Sequence, residues 1–153
     1  MVDRDARNRL AEALRHLVTG RMTNYEFDEA IQIETDDAAF YPIRKQAWFL
    51  YSDLREHRLV GSDALSKSNK RMVARFILFL HSDLEYEWPR YPFDGVLGAI
   101  ARGLSYLLSF GRIPRQVDKN WEAAGDSDVW PFISRKDYEE ALTKPRYLRG
   151  RAA

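Results

Sequence analysis

Three carboxylates alternate with large apolar side chains in Asp83-Leu84-Glu85-Tyr86-Glu87-Trp88, directly after the apolar run Phe76 to Leu80. Carboxylates in such a pattern can ligate a cation, exchange protons or present negative charge to a partner. In an extended segment, residues two apart share one side at about 6.5–7 Å, which suits an acidic ridge better than a tight chelate. The stretch therefore reads in two ways. Either it is a solvated edge with Leu84, Tyr86 and Trp88 buried behind it, or it is a ridge that binds a partner through Asp83, Glu85, Tyr86, Glu87 and Trp88.

The histidines offer a weaker constellation. Asp53 and His57 are four residues apart, and His81 stands just before the acids. A metal-assisted hydrolase could be assembled from Asp53, His57, His81 and Asp83 with Glu85 and Glu87. That requires two similar segments, Phe49-Leu50-Tyr51-Ser52-Asp53-Leu54 and Phe79-Leu80-His81-Ser82-Asp83-Leu84, to meet in space. No two histidines have zinc-ligand spacing on a helix. His81 alone could serve as a base, but a hydrogen-bonded structural role explains it more simply. A nucleophile elbow and a phosphate loop are missing from the sequence, and the absence of cysteine removes thiolate chemistry and disulfides. No catalytic residue and no cofactor is assigned on these grounds.

The elements that must position these residues are helical. Residues 3–19 carry Ala6, Leu10, Leu14 and Leu17 at helical spacing, stopped by Gly20. Thr23 with Glu26 forms a capping box for a short second helix bearing Phe27, Ala30 and Ile31. Residues 36–57 show the strongest periodicity, through Phe40, Ile43, Ala47, Leu50 and Leu54, with Pro42 in the first turn. Gly61-Ser62-Asp63 is a turn. Residues 68–82 read as a helix capped by Ser68 or Asn69, although Phe76 to Leu80 would also suit a buried strand. The period then changes to two, and Pro89 and Pro92 oppose further helix. Residues 94–110 form another helix with Val96, Ile100, Gly103, Leu107 and Phe110 on one face and Leu97, Leu104 and Leu108 beside it. Gly98, Ala99, Ala101 and Gly103 would let a neighbouring helix come close. Residues 112–133 read as an irregular crossing with Pro114, a turn at Gly125-Asp126-Ser127-Asp128 and Trp130-Pro131-Phe132; this Trp-Pro pair and the earlier Trp88-Pro89 read as loop anchors. Ser134 with Asp137 opens a last helix to about Thr143.

The expected architecture is a mainly α, compact single-domain bundle of five to six helices over 1–143, with a short extended segment near 83–88. A flexible basic tail is expected over 144–153. Length suits one core. Hydrophobic residues at 45% and charged residues at 31% are ordinary for a globular chain, whereas aromatics at 13% are high. The net charge of +1 is unevenly placed: Lys144, Arg146, Arg149 and Arg151 stand in the last ten residues with no acid. Removing those four leaves 20 basic against 23 acidic residues, a body of −3. Nucleic-acid proteins normally carry basic charge on the folded body, so binding of RNA or DNA through the tail is the disfavoured reading. The charged N-terminus has no signal-peptide core, and no apolar stretch reaches membrane-spanning length. A cytoplasmic location without a membrane partner is the expectation.

Leu14 to Phe27, reading LRHLVTGRMTNYEF, resembles the SHOCT helical hairpin: a leucine-bearing helix, then Gly-x-Met-Thr, then Glu-Phe. The resemblance covers about residues 10–32. It implies a helix pair that mediates assembly, although that motif usually closes a protein and here it stands near the start. The chain as a whole is similar to small bacterial proteins from which no activity carries over. The function read from the sequence is therefore non-catalytic: an interaction protein, in one version of immunity or antitoxin type, that binds another protein through the acidic-aromatic segment. Homo-oligomers are compatible with it.

Overall fold

The computed structural model describes residues 1–89 and 95–144, so Pro92 and the tail beyond Lys144 lie outside the described residues. Seven α-helices are present among them, and no strand: α1 Arg4–Val18, α2 Asn24–Ala30, α3 Phe40–Trp48, α4 Lys67–His81, α5 Gly95–Ser109, α6 Arg112–Glu122 and α7 Arg135–Thr143. The mainly α class holds. The count exceeds the expected five to six, because 112–122 is a regular helix rather than part of an irregular crossing. Ile113, Val117 and Trp121 recur every four residues there, and Pro114 sits in the first turn where its missing N–H costs nothing. No helix among the described residues is long and apolar enough to cross a membrane.

α1 is the centre of the core. Its Leu10, Leu14 and Leu17 are fully buried, and it packs against α4, α2 and α3. Asp3 caps it by accepting from the Ala6 amide at 3.0 Å. α2 opens with the capping box expected of Thr23 and Glu26. α4 settles the question at Phe76 to Leu80 in favour of helix. The run is apolar all round because α4 is held between α1 on one side and α7 on the other. Its cap is Ser66, two residues earlier than expected. α7 starts at Ser134, which accepts from the Asp137 amide.

The strongest sequence periodicity overshoots. α3 ends at Trp48, not near 57, and Leu54 is 91% exposed. The cause is Asn24, fully buried at the start of α2. Its side-chain amide donates to the carbonyls of Ser52 and Arg55, both at 3.0 Å. Its side-chain oxygen accepts from the His57 amide at 2.8 Å, and its backbone N–H donates to the His57 carbonyl. Four backbone groups that a continued helix would have used internally are taken by one residue instead, and buried polar groups tolerate no unpaired alternative.

Candidate binding surface

The acidic segment is bound down by α1. Residues 83–89 form neither helix nor strand. The Arg4 guanidinium donates to the carbonyls of Leu80 at 2.7 Å and Ser82 at 2.5 Å, and meets the Asp83 carboxylate at 3.0 Å. Arg7 donates to Ser82 and Leu84. Two cations thus satisfy the carbonyls that the end of α4 leaves open. Glu85 lies 3.3 Å from the Met1 amino group. Arg7 is itself fully buried and makes a two-pronged pair with Asp37, Nε to Oδ2 at 2.6 Å and Nη2 to Oδ1 at 3.0 Å. Burial opposes ionisation of Asp37. Hydrogen bonds from Arg7 and the amides of Ala39 and Asp3, with the Arg7 charge, outweigh it and hold the carboxyl below its ordinary value.

The aromatics of this segment point inward. Trp88 is 4% exposed and donates from Nε1 to the Phe132 carbonyl at 3.0 Å. Its ring lies 4.9 Å from that of Trp121. The Tyr86 hydroxyl accepts from Trp130 Nε1 at 3.1 Å, and burial pushes the phenol up to about 12, partly opposed by that hydrogen bond. Leu84, expected behind the acids, is instead 37% exposed, because Arg7 fixes its carbonyl rather than its side chain. Outward there stand Asp83, Leu84, Glu85 and Glu87, with Tyr86 and Trp88 anchoring the segment to the core.

Two carboxylates of the metal alternative, Asp53 and Asp83, lie at opposite ends of α1. Asp53 and His57 belong to the loop held by Asn24, near Gly20, whose carbonyl accepts from Arg58. His81 and Asp83 lie beside Arg4. Fifteen residues of α1 separate these ends by about 22 Å at 1.5 Å per residue. Among the described residues, no group of three or more His, Asp or Glu could hold a metal ion. His81 borders a cleft of about 290 Å³ with Asp83, Asp137 and Glu140. Each of these carboxylates already serves another group: Arg4, the Ser134 hydroxyl and Lys144 respectively. Burial, then the charges of Arg15 and Arg4, hold the His81 imidazole below its ordinary value, which favours its neutral form.

The feature least expected from the sequence is α5. It packs against α6, and neither shares a substantial contact with another helix among the described residues. The side turned to α6 is small and polar. Gly98 is buried, Arg102 pairs with Asp118 at 2.9 Å, and Ser109 accepts from the Ile113 amide. The other side carries Leu97, Ile100, Leu104, Leu107 and Leu108, from 55% to 83% exposed. The apolar face expected of this helix thus stands in solvent at Ile100, Leu107 and Phe110. The Val96 side chain lies outside the described residues. Beyond the helix, Phe110 is 87% exposed and has φ +50°, a left-handed conformation that costs a residue with a Cβ. Gly111 follows at φ +76°, where an added Cβ would meet the Tyr106 ring at 2.7 Å.

Comparison with family models, curated proteins and solved structures found no match for this chain. The geometry alone carries the functional reading. Sequence reasoning passed over Arg4, Arg7 and Asp37, and took Asn24 only as an alternative to Thr23 for capping the second helix. Their signal was faint but present: Arg7 shares the spacing of Leu10 and Leu14, where a charged residue needs a buried partner.

Proposed function

We propose that the chain is a non-catalytic interaction protein and that the outer face of α5 is its binding surface. One observation carries this: α5 is turned inside out, with its small polar side against α6 and its leucines in solvent. A surface helix normally buries its apolar stripe. Exposed contiguous apolar area of this kind marks a binding site in soluble proteins. The exposed Phe110 supports the reading, since a left-handed aromatic is retained at a place where glycine or asparagine would be less strained. The acidic segment supplies the charged rim of the molecule and stabilises the fold through Arg4 and Arg7.

The test uses the full chain, with a purification tag, in the cells that make it. We expect a stoichiometric polypeptide, either another protein or a second copy, to be retained by the wild type. Leu104→Glu should abolish retention while helicity stays unchanged, because Leu104 is more than half exposed on the outer side of α5. Equal retention by both proteins would sink the reading.

A further inference from the structure

We infer that the occupant of the α5 face is a second copy of this chain, paired through α5 about a two-fold axis. This deepens the reading above and rests on it. The first argument is the register. Leu97, Ile100 and Ala101 recur seven residues later as Leu104, Leu107 and Leu108. This is the spacing that keeps one seam against a partner helix over two heptads, about 18 Å of axis.

The second argument is charge. A two-fold interface sets a surface against itself, so any charge on it meets its own like. The α5 face has none: the helix's single charged residue, Arg102, is on the opposite side, paired with Asp118. The same fact argues against a lipid surface, since helices that lie on anionic membranes flank their apolar stripe with lysine or arginine. The chain beyond Lys144 has three arginines against one Leu and one Tyr, a poor cover for five leucine-type side chains.

The third argument is area and approach. Six large apolar side chains of the stripe, Phe110 included, are each more than half exposed, and they form a contiguous core for an interface of the standard roughly 800 Å² per partner. Along one edge stand Ala99 and Gly103, and a Cβ built on Gly103 would meet nothing within 4 Å. A second helix can approach closely there.

The experiment measures mass in solution by light scattering and sedimentation equilibrium on the purified full chain. We expect twice the 17.9 kDa chain mass at micromolar concentration. Leu104→Glu should return the single-chain mass, with Kd raised more than about a hundredfold. Because the chain has no cysteine, Ala101→Cys provides an independent readout. Position 101 lies near the middle of α5, so it meets its own copy whether the helices run parallel or antiparallel. Copper–phenanthroline oxidation should link it into a dimer, while Glu139→Cys on α7 should stay unlinked. A wild type that remains a single chain at 100 micromolar, with no linkage through Ala101→Cys, overturns the second-copy assignment. If that monomer still loses a retained protein on Leu104→Glu, the surface stands and only its occupant is wrong. If that monomer instead gains membrane binding to phosphatidylserine vesicles, the partner is lipid and the inference fails. A monomer with neither behaviour removes both.

Discussion

Replacing Asp37 by asparagine removes a charge opposite Arg7 and leaves the shape intact. Arg7 would then be a buried cation whose remaining acceptors are the Ser82 and Leu84 carbonyls. Breaking one half of a buried pair costs about 3–5 kcal/mol, more than any exposed pair in the molecule can contribute. We expect Asp37→Asn to lower the unfolding free energy by that amount, as a lower urea midpoint with an unchanged slope. The pH dependence follows from the sign. Asp37 has its carboxyl held below the ordinary value, so its contribution is fully present above about pH 4, the unfolded carboxyl value. It is lost as pH falls through the lower native value. Acid titration of wild type and Asp37→Asn should therefore converge below pH 4, and curves that stay parallel would show that the pair contributes nothing. At this scale the sequence was partly legible. The inward anchoring of Trp88 was one of the readings made from burial habits of large aromatics. The outward turn of Leu84 was not, because it follows from a backbone contact to Arg7 that alternation cannot encode.

Helix ends announce themselves in sequence when the cap is local. Thr23 with Glu26 and Ser134 with Asp137 were readable because donor and acceptor stand three residues apart. The end of α3 was unreadable because its cause, Asn24, lies 28 residues before Ser52 and acts through tertiary hydrogen bonds. Asn24→Ala would leave the Ser52 carbonyl and the His57 amide without partners and the Arg55 carbonyl with the His57 ring alone. A cost of about 2–4 kcal/mol is expected, summing over buried groups left unsatisfied. Amide exchange should accelerate locally at 52–58; uniform exchange rates there would show that the loop does not depend on Asn24. α6 was missed for a different reason. Proline and glycine at its boundaries resemble loop punctuation, although proline in a first turn and glycine before it are both compatible with helix. α5 was recognised as a helix with the right stripe. Its stripe stands in solvent, and periodicity alone does not say which way a stripe faces.

Taken as a whole, the chain divides its apolar side chains between an inner cluster centred on α1 and an outer stripe on α5. The mainly α class was legible from periodicity alone, whereas the outward stripe has the same periodicity as an inward one. If the stripe pairs two chains, stability belongs to the pair, and mass action ties it to concentration. We expect the melting temperature of the wild type to rise over a hundredfold increase in protein concentration. That of Leu104→Glu should not move, and identical behaviour of the two would count against pairing. Arg4 and Arg7 join the beginning of α1 to carbonyls 75 to 78 positions further along. At about 5–20 residues per second, a ribosome needs roughly 4–16 seconds to extend the chain from one to the other. During that interval α1 has been made but its main companion has not, and its leucines wait uncovered in the nascent chain. The guanidinium groups close this contact only once residue 84 has been made, before Phe132 and α7 complete the core.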